Sequence, residues 1–253
     1  MANGPKTLIY DIELAPNVVS AWSLFKPMIG INQIIESSHI ICFAYRWHGE
    51  KRTKFASEWG DGYSDMIATL HALFEEADVV CGYNSVGFDD KHTRAAFLTE
   101  GLAPPAPFKQ LDLYKEIRRQ FNFPSRKLDY ICQRLGLGHK VAHTGQELWN
   151  EVLRPSSEQS GKKARALMAK YCKTDVDLTV DLYDLLYPWL KMPINAGLFV
   201  DDNEPACPHC GHAVQRRGWA YTTNGRYRRY YCPDCHVWSK GKTGDKFAEL
   251  RAA

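Results

Sequence analysis

No apolar stretch of this 253-residue chain is long enough to span a bilayer, which excludes a helical membrane anchor within it. Internal repeats and low-complexity tracts are also missing, so the sequence gives no basis for a repeat array or a biased tail. The residues ahead of the first apolar strand do not read as a signal peptide, so none is expected, and the expected compartment is a reducing cytoplasm. Neither sign of charge dominates, since 32 Lys and Arg against 29 Asp and Glu leave +3. That balance conceals an asymmetry: residues 205–253 carry +6 and residues 1–204 carry −3. Basic charge concentrated at one end suits the neutralisation of phosphates.

Cysteine is sparse, with eight in the chain. Cys42, Cys81, Cys132 and Cys172 sit in apolar or helical surroundings and read as ordinary buried thiols. The other four form two C-x2-C knuckles, Cys207-Pro208-His209-Cys210 and Cys232-Pro233-Asp234-Cys235, with 21 residues between them. That spacing fits a structural four-cysteine zinc site, and a reducing compartment favours zinc over disulfides. A redox role is disfavoured, because neither knuckle opens a helix after a strand. Four thiolates and one Zn²⁺ would lower the region's charge to about +4.

Between the knuckles the sequence reads as a β-hairpin. Arg216-Arg217-Gly218-Trp219-Ala220-Tyr221 and Arg226-Tyr227-Arg228-Arg229-Tyr230-Tyr231 flank Asn224-Gly225, the signal of a type I′ turn. Arg216, Arg217, Arg226, Arg228 and Arg229 supply positive charge. Trp219, Tyr221, Tyr227, Tyr230, Tyr231 and Trp238 offer rings on which unpaired bases stack. The same rings have a competing use, because a small hairpin has little else for a core. The module resembles zinc ribbons of transposases and replication proteins, which makes a replication or recombination protein a possible partner.

Four carboxylates are delivered by three separate segments. Asp11 and Glu13 lie in Leu8-Ile9-Tyr10-Asp11-Ile12-Glu13, a strand whose alternation puts both acids on one face and Tyr10 and Ile12 on the other. Two like charges on one strand face repel unless a cation sits between them. Asp89 closes Asn84-Ser85-Val86-Gly87-Phe88-Asp89, a turn leading into a helix, where an acid is also an ordinary cap. Asp175 follows Tyr171 by four residues on a helix expected over 163–186. Its apolar stripe comprises Ala164, Met168, Tyr171, Leu178, Leu182 and Leu185. An acid within that stripe needs a partner or a metal, and Tyr171 lies one turn away on the same face. Asp177, Asp181 and Asp184 mostly fall off the stripe and read as solvated.

The order of these motifs resembles the DEDD superfamily of 3′–5′ exonucleases, which share the ribonuclease-H-like fold. Asp11 and Glu13 meet the family's acid-x-acid strand motif. Asn84, Phe88 and Asp89 meet its Asn-x3-Phe-Asp motif, and Tyr171 with Asp175 meets the Tyr-x3-Asp motif of the tyrosine subclass. The histidine subclass has His five residues before the last Asp, where this chain has Lys170. Lys127-Leu128-Asp129-Tyr130, running on to Leu135-Gly136-Leu137-Gly138, is similar to a segment of family-B DNA polymerase proofreading domains and of related small bacterial and phage nucleases. The resemblance covers roughly residues 5–190.

The resemblance implies a two-metal site. Asp11, Glu13 and Asp175 would hold one ion, with Asp11 bridging to a second near Asp89. Carboxylates suit Mg²⁺ or Mn²⁺. One ion lowers the pKa of a water and the other steadies the leaving 3′ oxygen, about 3.5–4 Å apart in such sites. Tyr171, whose phenol ordinarily titrates near pH 10, is expected to orient the attacking water. Asn84 and Phe88 are expected to touch substrate. The implied activity is 3′–5′ cleavage of single-stranded DNA or RNA to nucleoside 5′-monophosphates, with DNA favoured. A structure-specific or RNA-directed nuclease on this fold, and a binding or recruitment protein with a weak site, stay open as alternatives.

The expected architecture is α/β: a ribonuclease-H-like mixed sheet flanked by helices over residues 1–195, a linker over 196–204, and a four-cysteine zinc ribbon with a basic tail over 205–253. Ile40 to Trp47 and Thr53 to Ala56 read as the second and third strands, and Val79 to Tyr83 as a short buried one. Ser64 to Ala77 reads as a helix capped by Ser64. Phe88 to Leu98, Asp112 to Phe121, Lys127 to Leu135 and Gln146 to Leu153 read as further helices. Asp112 and Asp129 read as helix-start residues, and His139 and His143 as surface or substrate-contact residues.

Overall fold

A computed structural model describes residues 4–23, 25, 28–201 and 204–249. The chain divides into two compact units, Thr7–Leu182, and Tyr183–Ala253 together with Met1–Lys6. Asp202 and Asn203 of the expected linker lie outside the described residues. Among the described residues, no helix is long and apolar enough to cross a membrane.

In the first unit the chain runs through β1 (Thr7–Leu14), the two short strands β2 (Val18–Val19) and β3 (Ile34–Glu36), then β4 (Ile40–Trp47) and β5 (Lys54–Ser57). Helices α1 (Glu58–Asp61) and α2 (Tyr63–Glu76) lead to β6 (Val79–Gly82) and α3 (Asp89–Thr99). After β7 (Lys109–Asp112) come α4 (Leu113–Gln120), α5 (Leu128–Arg134), α6 (Gln146–Leu153) and the 29-residue α7 (Glu158–Leu186). The sheet order is β5-β4-β1-β6-β7. β1 pairs antiparallel with β4 and parallel with β6, so the acid-bearing strand is central and the sheet is mixed.

Alternation along β1 sorts its side chains between two cores. Leu8, Tyr10 and Ile12 join Phe43, Met66, Leu70, Phe74 and Phe97 on the α2–α3 side. The opposite side packs Ile41 and Cys42 with Leu148 and Val152 of α6 and Ala164 and Met168 of α7. Asp11 and Glu13 face this second side. Across the β1–β4 ladder they stand opposite Ala44 and Cys42, small residues that leave space beside the carboxylates. At the end of β6, a Cβ on Gly82 would lie 2.7 Å from the Ser85 Cβ, so glycine lets the β6–α3 turn close against the sheet.

Several expectations are adjusted. The α2 helix starts at Tyr63 behind Gly62, whose φ is 84°; Ser64 lies inside the first turn and is no cap. The α7 stripe continues through Tyr183 and Leu186, both buried, whereas Leu185 is 46% exposed. A helix with 3.6 residues per turn alternates steps of three and four, and here the last step is four. β2, β3 and β7 were not expected.

The second unit carries a three-stranded sheet of β8 (Gln215–Tyr221), β9 (Gly225–Tyr231) and β10 (Trp238–Phe247), in the order β10-β9-β8. The β8–β9 turn is not type I′, because neither Asn224 nor Gly225 has a positive φ. The Thr222 hydroxyl overrides the Asn-Gly preference by accepting the Gly225 N–H at 3.1 Å, while Thr222 N–H donates to the Gly225 carbonyl at 2.8 Å. The left-handed residue is instead Gly218, φ 73°, at a β-bulge between Arg216 and Trp219. Ala196–Phe199, inside the expected linker, forms a 3-10 turn whose Ala196 N–H donates to the Pro208 carbonyl.

Candidate active site and metal centre

The four expected acids gather around Asp11, which Asp89, Glu13 and Asp175 all crowd. Asp89 is placed by the turn after β6, where Asn84 takes a left-handed φ of 64° and donates its N–H to Asp112 Oδ1 at 2.9 Å. Asp112 also caps α4, accepting from the N–H groups of Tyr114 and Lys115. That bond fixes the turn so that Asp89 Oδ1 accepts the Ile12 N–H, between Asp11 and Glu13. Asp175 comes from α7, and Cys172, one turn earlier, donates its thiol to the Asp11 carbonyl at 3.7 Å. The Asp11 and Glu13 carboxylates and the Cys172 sulfur lie within 4.8 Å of one another. Burial holds that thiol well above its ordinary pKa, so it packs as a neutral group.

The charges conflict. Burial, then Asp89, Glu13 and Asp175, holds the Asp11 carboxyl well above the usual carboxylate range. Burial and Asp175 push Glu13 up to about 8, and burial pushes Asp89 up to about 7. Asp175 is raised mainly by burial, against the pull of Lys140. Its Oδ2 accepts from Lys140 Nζ at 2.6 Å, while its buried Oδ1 has no hydrogen-bond partner. Crowded carboxylates with an orphaned buried oxygen make an oxygen donor set that suits a hard divalent cation. Tyr171 faces Asp175, and burial followed by Asp175 raises its phenol above its usual range, keeping it protonated.

Lys140 was not expected at the site. Besides bonding Asp175, its ammonium stands 5.4 Å from the Tyr171 ring centre. Asp129 anchors the segment that carries it, accepting the Lys140 N–H at 2.8 Å. His143 packs against Tyr171 at 4.9 Å and Trp149, and the Trp149 indole donates to the Leu14 carbonyl at 2.9 Å. A cleft of about 460 Å³ opens beside Asp11, lined by Tyr83, Asn84, Tyr114, Arg126, Lys127 and Lys140. The Lys127-Leu128-Asp129 segment was the available signal for it. Phe88, at the start of α3, is 45% exposed and packs on His92.

Asp90, next to Asp89, has a different role. It faces the other side of the sheet, where Tyr10 donates its hydroxyl to Oδ1 at 2.6 Å and Gln110 its amide to Oδ2 at 2.5 Å. Asp90→Ala leaves the buried Tyr10 hydroxyl unpaired and is expected to lower stability by about 1–3 kcal/mol, with divalent-ion affinity unchanged. Urea unfolding and a Mn²⁺ titration of the same preparation separate these effects. Lost ion affinity at full stability would make Asp90 a ligand in place of Asp89. On α7, Asp177 pairs with Arg46 and Thr53, and Asp181 and Asp184 are exposed.

In the second unit the sulfurs of Cys207, Cys210, Cys232 and Cys235 lie within 4.8 Å of one another. The two knuckles repeat one backbone pattern. Gly211 and His236 donate to the carbonyls of Cys207 and Cys232, and Cys207 and Cys232 donate to the carbonyls of His212 and Val237. The residue after each second cysteine is left-handed, Gly211 at 74° and His236 at 60°. The Cys207–Cys235 and Cys210–Cys232 sulfurs are 3.5 Å apart. A disulfide needs about 2.05 Å, whereas tetrahedral bonds of about 2.3 Å to a central ion separate sulfurs by about 3.8 Å.

The basic residues divide by sheet face. Arg226 and Arg228 cover Trp219, at 4.1 and 3.7 Å from its ring centre, and Arg216 lies 5.9 Å away. On the opposite face, Arg217 stands over Tyr231, Arg229 over Trp238 and Lys240 over Tyr227.

The fold is that of a ribonuclease-H-like α/β protein. The chain belongs to the RNase_H superfamily, whose family description matches residues 34–187. Among solved structures it is similar to the family B DNA polymerase from the hyperthermophilic archaeon Pyrobaculum calidifontis, with a TM-score of 0.53 and 19% identity over 73% of this chain. The match spans 25% of that polymerase. No curated protein matches the chain in sequence.

Proposed function

We propose that the chain is a metal-dependent 3′–5′ exonuclease of the tyrosine DEDD subclass, acting on single-stranded nucleic acid with DNA favoured. The observation that carries this reading is that Asp11 and Glu13 share one face of the central strand, Asp89 accepts the N–H of Ile12 between them, and Asp175, which crowds both acids, keeps Oδ1 unpartnered. Asp11, Glu13 and Asp175 would hold one Mg²⁺ or Mn²⁺, and Asp11 with Asp89 the other. Bound there, the two ions supply charge neutralisation and an acidified water.

The chain's own groups do the rest. Tyr171, held as a protonated phenol against Asp175 and packed by His143, orients the attacking water. Lys140 contributes the nearby ammonium, placed to meet non-bridging phosphate oxygens once a cation engages Asp175. Asn84 and the exposed Phe88 ring border the terminal nucleotide, and Arg126 and Lys127 line the cleft beside Asp11. Attack on the phosphorus from this side expels the 3′ oxygen of the preceding sugar, so each product is a nucleoside 5′-monophosphate.

Tyr171→Phe is expected to slow turnover about 10–100-fold, the usual cost of losing a group that orients a metal site's reactants, with Mn²⁺ affinity unchanged. Chromatography of the products tests the chemistry at the same time. Nucleoside 5′-monophosphates support the reading, and 3′-monophosphates contradict it.

The C-terminal unit is proposed to be a zinc ribbon, with one Zn²⁺ on Cys207, Cys210, Cys232 and Cys235. Its basic, ring-bearing sheet is proposed to bind the substrate strand. The proposed division is a nuclease domain over 1–195, a connector over 196–204 and the ribbon over 205–253. Partners consistent with this reading are 3′ ends of single strands and a replication or recombination protein.

A further inference from the structure

We infer that an unpaired nucleic-acid strand docks on one face of the C-terminal sheet, the face bearing Arg217, Tyr227, Arg229, Tyr231, Trp238 and Lys240, and not on the Trp219 face. The inference rests on the reading of this unit as a strand-binding module. It corrects the simplest version of that reading, in which all the hairpin's arginines act alike.

Strand register assigns the faces. Directly paired residues share a face, so Trp238 with Tyr231 and Lys240 with Arg229 lie on one side. Trp219 with Arg228 and Tyr221 with Arg226 lie on the other. On the Trp219 face the two cations nearest the ring, Arg226 and Arg228, are already engaged. Arg226 donates to Asp245 Oδ2 through both Nε, at 3.1 Å, and Nη2, at 2.5 Å, and Arg228 Nη2 lies 3.5 Å from Asp245 Oδ1. One carboxylate thus occupies the fork geometry that a phosphate would need. The same two guanidiniums cover the Trp219 ring, which leaves it little surface for a base.

The other face also sets cations over its rings, but it differs in how those cations are paired and in how far its tryptophan is exposed. Arg217, Arg229 and Lys240 are exposed, and none has a carboxylate partner among the described residues. Arg229 spends only its Nε, on the Arg217 carbonyl, so its terminal nitrogens stay open. Trp238 is 51% exposed and packs beside Tyr231 at 5.0 Å, giving two adjacent rings next to three cations that hold no carboxylate, Arg217 donating only to the neutral Gln215 side chain at 2.7 Å. Cations without a carboxylate beside the exposed Trp238 ring match the charge of a phosphate backbone and the face of an unstacked base. A duplex hides its base faces, which is why the occupant is an unpaired strand.

The test uses the full chain carrying Asp11→Ala to prevent cleavage, zinc-loaded, with a 5′-fluorescein-labelled oligo(dT) followed by anisotropy across a salt series. Arg229→Ala with Trp238→Ala is expected to weaken binding at least tenfold, since losing one stacked base costs about 1–3 kcal/mol. Arg229→Gln with Lys240→Gln spares Trp238 and should lower the slope of log K against log salt by about 1 to 2. Arg226→Ala with Arg228→Ala should change affinity less than about threefold, and Asp245→Asn should leave it unchanged. Zinc content and melting temperature confirm that each variant is folded. A loss confined to the Arg226/Arg228 pair, or tighter binding by Asp245→Asn, would overturn the face assignment while keeping the ribbon as a strand binder. Unchanged affinity in every variant would overturn the strand-binding reading itself.

Discussion

Replacing Asp11 by Ala is expected to cut strand cleavage by at least about 10³-fold while leaving the metal-free fold as stable as before or more so. Asp11 is the acid that both proposed ions share. Two-metal charge stabilisation is worth several kcal/mol, and about 4 kcal/mol corresponds to roughly 10³ in rate. The stability half of the prediction follows from the same geometry. Without a cation, Asp11 is crowded by Asp89, Glu13 and Asp175, and Lys140 answers only part of that charge. Removing one of the four relieves repulsion on the order of 1 kcal/mol. A fold-maintaining residue behaves in the opposite way, losing stability and activity together. Thermal melts with and without Mn²⁺ measure both. The wild type should gain stability from the ion and Asp11→Ala should not. Cleavage retained in a clean Asp11→Ala preparation would remove the site assignment.

The second large effect concerns the four cysteines. The sheet of the C-terminal unit exposes much of both faces, and among the described residues of that unit the buried apolar ones are few: Tyr183, Leu186, Leu190, Ala196 and Val237, with Cys207 and Cys232. So small a core does not hold a sheet by hydrophobic burial alone. Apparent binding energies of about 10–16 kcal/mol for structural zinc exceed anything else this unit can supply. Stripping zinc with a strong chelator, or replacing Cys207 by Ser, is therefore expected to melt β8–β10. Trp219 and Trp238 should then lose their near-ultraviolet circular dichroism, while Thr7–Leu182 still unfolds cooperatively. Elemental analysis should find about one zinc per chain. A chelated protein with an unchanged spectrum would contradict the metal centre.

What the sequence made legible was local. Period-two alternation in β1 placed Asp11 and Glu13 opposite Tyr10 and Ile12, and the helical period of α7 put Asp175 on its buried side. Both periods survive folding because each element packs against a continuous core. The knuckle spacing was legible for a similar reason, since two cysteines in one tight turn need no long-range partner. Lys140 was hidden because it lies 35 residues before Asp175 in an irregular stretch with no period. Asp129 holding its backbone and Asp175 holding its ammonium bring it to the site. Asp90 was hidden by its neighbour, and only the three-dimensional turn sends Asp89 to the Ile12 N–H and Asp90 to the Tyr10 hydroxyl. β10 carries Gly241 and Gly244 and little apolar alternation, so its strand state comes from pairing with β9. The Asn224-Gly225 signal failed because the Thr222 hydroxyl offered the turn a competing hydrogen bond.

The central claim is tested most directly with 5′-labelled single-stranded DNA and RNA of one sequence, incubated with Mg²⁺, with Mn²⁺ or without divalent ion, and with Asp11→Ala as control. The account predicts a metal-dependent ladder shortening one nucleotide at a time from the 3′ end, absent in Asp11→Ala, with DNA cut faster than RNA. Internal cuts, or no cleavage of either strand while binding stays tight, would contradict it.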